Sequence, residues 1–364
     1  MEKPVQLNAR QQRVLWATVR HYVMTAEPVG SKSLATGYDL QVSSATIRNA
    51  MGVLERSGLL YQPHTSAGRI PSDSGYRFYV DDLLEPSPSL TRQVEAALTE
   101  RLDWEGWSVE ALLQETAQVL ARLSGYIALV TLPQTHAVCL QHLQLVRVEG
   151  DQILLVVMLD AYSTRSILVQ FPKATSQAGK EQLDRELQIL SNFLNHRLRG
   201  KPLSAIVDLE WAELDRAFQH YAETLQGAIS GLAQRTRSTP ASQIVFSGLA
   251  EVLRQPEFAS DQLHDLIYLL EDGRDQLWPL IAAAGEPAAE PLRIWIGAEN
   301  PLEPMQTCAL VSAVYSKDRK PLGSVGLLGP TRMLYENAIT AVESAAAYLT
   351  RAVTQGFRGL NSGT

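Results

Sequence analysis

Apolar residues Leu15, Val19, Tyr22 and Val23 recur at helical spacing behind Asn8, a residue type suited to capping, and predict a helix from Asn8 to Met24. After the break Glu27-Pro28-Val29-Gly30, Ser31 is expected to cap a short second helix through Ala35 that stops at Gly37. Ser43-Ser44-Ala45-Thr46 opens a third helix whose inner face carries Ile47, Ala50, Met51 and Leu54 and whose end is Ser57-Gly58. Leu59 to Gln62 and Arg69-Ile70 read as strands around a turn-rich tip, Pro63 to Gly68, before a helix from Gly75 to Leu84 capped by Ser72 or Asp73. Three helices and then a two-stranded wing predict a winged helix-turn-helix.

Two prolines in Glu85-Pro86-Ser87-Pro88-Ser89 place the first boundary. A helical pattern from about Leu90 to Leu123 leads into β-rich runs at Tyr126 to Leu132, Cys139 to Val148, Ile153 to Leu159 and Arg165 to Gln170. Two helices with leucine stripes follow, Leu183, Leu187, Leu190, Leu194, Leu198 and then Leu214, Phe218, Tyr221, Leu225, Leu232. A third helical stretch covers Gln262 to Ile281. After the link Gly285 to Pro291, strands return at Leu292 to Ile296, Thr307 to Ser316 and Gly323 to Leu328, and a helix closes the chain from Thr331. The order sheet, helices, sheet predicts an α+β multidomain chain in which a mainly helical insertion interrupts one α/β domain. The expected divisions are 1–88, then 89–172 with 285–364, and 173–284 as the insertion.

At 364 residues, with 45% hydrophobic and 20% charged residues, the chain suits two or three globular domains. Its net charge of -7 argues against a protein that coats nucleic acid through bulk positive potential. That average conceals an asymmetry, because residues 1–80 hold nine Lys/Arg against five acids, and the remainder carries the surplus of acid. Two cysteines, Cys139 and Cys308, fit a reducing compartment. No apolar stretch follows Met1 to Arg13, and the long uncharged run Leu123 to Val146 is broken by Pro133, His136 and several glutamines. A cytoplasmic protein with no membrane partner is therefore expected.

On the outer face of the third helix stand Ala45, Arg48, Asn49 and Gly52, with Ser43, Ser44 and Thr46 at its N-terminus. Arg48 suits a guanine edge and Asn49 an adenine edge, and the hydroxyls suit phosphates. The tip His64-Thr65-Ser66-Ala67-Gly68-Arg69 offers small residues for close approach and one Arg for a minor groove or a phosphate. Neither H-E-x-x-H, G-x-S-x-G nor a P-loop occurs, and Gly323 to Gly329 has the spacing G-x-x-G-x-x-G, so no enzyme is expected. His136, Cys139 and His142 alternate faces on an extended strand and cannot converge on a metal. Neither a metal nor a cofactor is expected.

The strings Glu27 to Lys32, Val42 to Asn49, Gln62 to Pro71 and Gly75 to Asp81 closely resemble the HrcA heat-inducible transcription repressors, as do Val245 to Leu249, Gln255 to Phe258, Glu299-Asn300-Pro301 and Gly326 to Met333. The resemblance implies a winged-helix domain, a GAF-like domain and an inserted dimerising domain. It implies a homodimer that binds an inverted-repeat operator, the CIRCE element, upstream of chaperone operons, with a GroEL-type chaperonin keeping it active. The expected DNA-contacting set is Ser31, Lys32, Ser43, Ser44, Thr46, Arg48, Asn49, His64, Thr65, Ser66 and Arg69. The resemblance favours a dimer interface for the stripes Leu183, Leu187, Leu190, Leu194 and Leu214, Phe218, Tyr221, Leu225 over plain core. The family commonly has an acid at the position of Ala50 and often a Lys at that of Ser74, so a salt bridge and a phosphate contact are expected to be lost here. Gly52 inside the helix costs about 1 kcal/mol relative to Ala unless close packing requires it. A small metabolite held by the GAF-like domain is the alternative means of control.

Overall fold

Capping side chains set the helix starts in the first eighty residues. Helix α1 (Ala9–Thr25) begins with a reciprocal box in which the Gln11 amide N–H donates to Asn8 Oδ1 at 3.0 Å and the Asn8 amide N–H donates to Gln11 Oε1 at 2.8 Å. Helix α2 (Ser31–Gly37) starts behind Gly30, so Ser31 is its first helical residue and not its cap. The Ser31 hydroxyl instead meets that of Ser44 at 3.0 Å. Helix α3 (Ser44–Arg56) is capped by Ser43, and its Ile47, Ala50, Met51 and Leu54 are buried.

Strands β1 (Leu60–Tyr61) and β2 (Ile70–Pro71) form an antiparallel ribbon, extended by a bridge between Val29 and Arg69. Gly68 is required there, because a Cβ would stand 2.5 Å from the Val29 carbonyl oxygen. Helix α4 (Asp73–Phe78), capped by Ser72, widens into a π-turn at Tyr79–Leu83. These elements constitute the head.

This computed structural model describes residues 6–65, 67–84, 88–101, 108–133, 139–148, 152–159, 164–170, 180–209, 216–237, 244–252, 255, 260–281 and 291–356. Helices α5 (Pro88–Arg101) and α6 (Val109–Ser124) follow the head and lead into β3 (Ile127–Thr131). The chain divides into two compact units, one combining Met1–Leu132 with Gln243–Gly356, the other formed by Pro133–Ser242.

In the second unit, β4 (His142–Arg147), β5 (Gln152–Met158) and β6 (Thr164–Gln170) make a three-stranded antiparallel sheet of their own. Helices α7 (Lys180–Leu198) and α8 (Arg216–Arg237) cover one face of it. Leu187, Leu190, Leu194, Tyr221 and Leu225 are buried there against Leu143, Leu145, Ile153, Leu155 and Val157, with Leu183 packed at the margin. The five buried members of the stripes are thus core of this unit, with no surface of their own left for a second chain. Leu214 lies outside the described residues, as does the side chain of Phe218 within α8.

The first unit resumes with β7 (Ile244–Ser247), the short α9 (Leu249–Val252), α10 (Ser260–Glu271) and α11 (Arg274–Ile281). Gly273 separates the last two, which the sequence pattern joins into one helix. Strands β8 (Leu292–Ile296), β9 (Cys308–Lys317) and β10 (Lys320–Pro330) complete a five-stranded antiparallel sheet in the order β7-β3-β10-β9-β8. Ile127, Leu129, Leu310 and Leu328 pack on Leu266, Leu269 and Leu277 of α10 and α11. Helix α12 (Tyr335–Gly356) lies along β9 and β10 and against α5 and α6.

The division differs from the expected one. The inserted unit opens at 133 and closes at 242, whereas 173–284 is the expected span, and it brings its own sheet. Alternating apolar residues identify a strand but not its partner strand, so β4 to β6 read as continuations of β3. Among the described residues, no helix is long and apolar enough to cross a membrane.

Polar bonds within the first unit seat the head on the five-stranded sheet and α12. Arg77 Nε donates to Glu299 Oε1 at 2.8 Å, and its Nη2 donates to the Ile294 carbonyl at 2.8 Å and to Glu299 Oε2. Asp73 accepts from the Ala298 amide at 2.9 Å, a seat available only because residue 297 is glycine, at a φ of 51° and with a would-be Cβ 2.2 Å from that carboxylate. The Tyr79 hydroxyl donates to Glu336 at 3.1 Å, and Arg332 donates to the Val23 carbonyl at 3.0 Å.

Candidate nucleic-acid interface

The start of α3 gathers hydroxyls in one place. Ser43 Oγ accepts from the Thr46 amide at 3.2 Å and lies 3.0 Å from Thr46 Oγ1, and the Ser31–Ser44 contact joins the starts of α2 and α3. Ser31 is buried and acts as a brace, which moves it from the contacting set to its support. Lys32 is exposed one residue further on. A helix N-terminus edged with hydroxyls favours anions, because its amides point outward and its dipole is positive there.

Because Ile47, Ala50, Met51 and Leu54 turn inward, Ala45, Arg48 and Asn49 are left exposed on the opposite side. Among the described residues, Arg48 and Asn49 make no side-chain hydrogen bond. Gly52 is half-buried, and a Cβ there would meet only the far end of Arg56 at 3.7 Å, so packing does not demand the glycine.

The ribbon tip is held by a residue that its sequence neighbourhood does not flag. Gln62 Nε2 donates to the Thr65 carbonyl at 3.0 Å and to the Ala67 carbonyl at 2.8 Å, which leaves His64 and Thr65 exposed. Ser66 lies outside the described residues. Tyr61 is 48% exposed, and burial, then the Asp73 charge, raise its hydroxyl above the usual range.

Arg69, expected to meet a minor groove or a phosphate, is tied to another side chain within the head. Its Nε and Nη2 each lie 2.9 Å from Glu55 Oε2, which ties the ribbon to the last turn of α3, and its backbone pairs with Val29. The pairing partner is fourteen residues upstream, on another element, beyond the reach of a local motif. Of the metal-type residues, His136 lies outside the described residues, Cys139 bridges to Pro202, and His142 is exposed at the start of β4.

The family model described as "HrcA protein C terminal domain" matches residues 110–339. The heat-inducible transcription repressor HrcA of Anabaena sp. (strain L31) is 56% identical over 355 residues, covering 96% of this chain and 99% of that protein. The chain belongs to the HrcA family. Two further HrcA repressors, from Trichormus variabilis and Synechococcus elongatus, are 55% and 53% identical over 96% and 95% of the chain and 99% and 98% of their own lengths. A crystal structure described as a hypothetical protein at 2.2 Å resolution shares the fold, with a TM-score of 0.66 at 24% identity over 96% of this chain and all of that one. The HrcA model begins at α6 and ends within α12, so it takes in the inserted unit and both halves of the five-stranded sheet.

Proposed function

We propose that this chain, a negative regulator of transcription in heat shock, acts through its head as a winged helix, with α3 in the major groove and the ribbon as the wing. The observation that carries the reading is the exposed, internally unbonded pair Arg48 and Asn49 beside a hydroxyl-rich helix N-terminus. Phosphate contacts from Lys32, Ser43, Ser44 and Thr46 set the register, while the two longer side chains read base edges. His64, Thr65 and Ser66 at the wing approach the neighbouring backbone or minor groove. Arg69 serves as the brace of that wing.

The operator is an inverted repeat, the CIRCE element, read by a homodimer whose two recognition helices meet successive major-groove faces. The open face of the inserted unit's sheet is the surface offered to the second copy. Val146, Leu154 and Leu168 lie in one row across its three strands, and Val146, Val148 and Leu168 are 44%, 50% and 50% exposed. Such a patch on a folded unit favours association. The five-stranded sheet is read as the GAF-like domain. Heating releases DNA by loosening the inserted unit and the dimer, and a GroEL-type chaperonin refolds the chain to its active form.

Fluorescence anisotropy on a full inverted repeat, a half-site and a scrambled duplex at several salt concentrations tests the reading. The expected result is specific binding to the full repeat, with discrimination against the scrambled duplex lowered by about 1–3 kcal/mol in Asn49→Ala. Unchanged specificity in that variant overturns the groove assignment.

A further inference from the structure

Among the described residues, the five-stranded sheet ends in an edge at β8, the sequence Leu292-Arg293-Ile294-Trp295-Ile296, that pairs with no further strand. In an antiparallel strand the backbone groups of alternate residues point to opposite sides. The ladder to β9 and the bond from the Val314 amide to the Pro291 carbonyl turn residues 291, 293 and 295 inward, so 292, 294 and 296 face outward.

Two of these outward groups are already taken by side chains. Arg77 from the head donates to the Ile294 carbonyl, and Glu299 accepts from the Ile296 amide at 2.9 Å. The Leu292 amide and carbonyl and the Ile294 amide make no hydrogen bond among the described residues. A groove of about 660 Å³ runs beside them, walled by Val80 of the π-turn, Ile339 of α12, Leu292 and Ile294. Arg77, Asp81 and Glu299 also line the groove, with both acids paired to Arg77, so Arg293 is the lining charge without an ion-pair partner among the described residues.

We propose that this groove accepts an extended, apolar polypeptide segment carrying an acidic residue, which adds to β8 as a sixth strand and displaces Arg77 from the Ile294 carbonyl. Strand addition supplies main-chain hydrogen bonds irrespective of sequence, and a groove beside the edge sorts side chains. The acidic residue pairs with Arg293. Arg77 makes the bond that a sixth strand would make at Ile294, so docking of the head and addition of a strand compete for one carbonyl. An unfolded chain, the product of heat stress, offers exposed extended segments of this kind, and it loosens the DNA-binding head by occupying the edge. The regulatory consequence rests on the repressor reading above; the binding itself does not.

The test uses the full-length chain and a fluorescein-labelled peptide, Glu-Val-Thr-Val-Thr-Val, with the same peptide N-methylated at every backbone nitrogen as the control. The expected result is saturable binding of the first peptide, weakened at least tenfold in the second, with new hydrogen-exchange protection at the Leu292 and Ile294 amides and reduced protection across α4. Arg77→Ala, which frees the carbonyl, should bind the peptide about fivefold more tightly. Ile294→Pro removes an outward amide at an edge position where proline is tolerated, and should lose binding. Equal binding of the two peptides, or binding without protection at Leu292 and Ile294, overturns the proposal. Self-association of Arg77→Ala with no peptide binding assigns the edge to a second copy instead and also overturns it. Because no readout involves DNA, failure to bind an operator would strike the repressor reading alone.

Discussion

Arg69 on the ribbon and Glu55 in the last turn of α3 meet through a single carboxylate oxygen, with two guanidinium nitrogens each 2.9 Å from it. The pair fixes the angle between the helix proposed to enter the major groove and the wing beside it. Partly exposed ion pairs of this kind contribute about 0.2–1 kcal/mol. Arg69→Ala and Glu55→Gln should therefore weaken operator binding by similar small factors, about twofold to fivefold, and leave the salt slope unchanged. A slope flattened by about one unit in Arg69→Ala but not in Glu55→Gln would return Arg69 to a phosphate.

Arg48→Ala and Asn49→Ala remove the proposed base-edge contacts, and each should lower discrimination between operator and scrambled DNA by about 1–3 kcal/mol. Their effect on binding to scrambled duplex should be smaller for Asn49, which carries no charge. Competition titrations with single-base operator variants would locate the base each residue reads, since only that position should lose its preference.

For the dimer, the stripes and the open sheet face give opposite expectations. Leu190→Ala removes a fully buried side chain and should cost about 2–5 kcal/mol of stability in the inserted unit. Val146→Asp with Leu168→Asp alters exposed positions and should leave the fold intact while yielding a monomer by light scattering. Such a monomer should bind a full inverted repeat no better than a half-site, a loss of about 10² to 10⁴ in apparent affinity. A dimer that survives both substitutions would move the interface elsewhere.

Burial pushes the Cys308 thiol up to about 11, against an opposing hydrogen bond with Thr307. The folded chain thus keeps this proton where the unfolded chain, at the ordinary value of 9.0, has lost it. The stability this contributes is complete below pH 9 and fades as the pH rises toward 11. Thermal melts from pH 8 to 11 should fall more steeply for the native chain than for Cys308→Ala. At pH 8 a thiol reagent should label half-buried Cys139 first and Cys308 only with unfolding; equal rates would contradict the burial.

What the sequence discloses about this fold follows the range of each signal. Asn8, Ser43 and Ser72 mark true helix starts because a cap is made within three residues of the chain. Ser31 misleads for the same reason in reverse: it is a capping residue type, but Gly30 takes the cap position and the Ser31 hydroxyl finds Ser44 thirteen residues on. The exposed face with Arg48 and Asn49 is legible from the helical period, since burying Ile47 and Met51 dictates what remains outside. Leu187 and Leu194 show that an apolar face exists but not what covers it, and β4 to β6 show strands without their sheet. Arg69 and Arg77 find their partners, Glu55 and Glu299, across gaps that only the folded chain closes.

Thr131 and Ile244 stand directly opposite each other where β3 pairs with β7. To the five-stranded sheet, the roughly 110 residues of the inserted unit are the loop of a hairpin. Closing a flexible loop of that length costs about 3 kcal/mol more than closing one of four residues, since the entropy of closure grows with the logarithm of length. While the insert is folded, its chain is not a free loop and that entropic cost does not fall on the hairpin. Once the insert melts, the full entropic pull falls on β7, a strand of four residues at the sheet's edge. A temperature signal can in this way cross from one unit to the other through chain connectivity alone, without any contact to carry it.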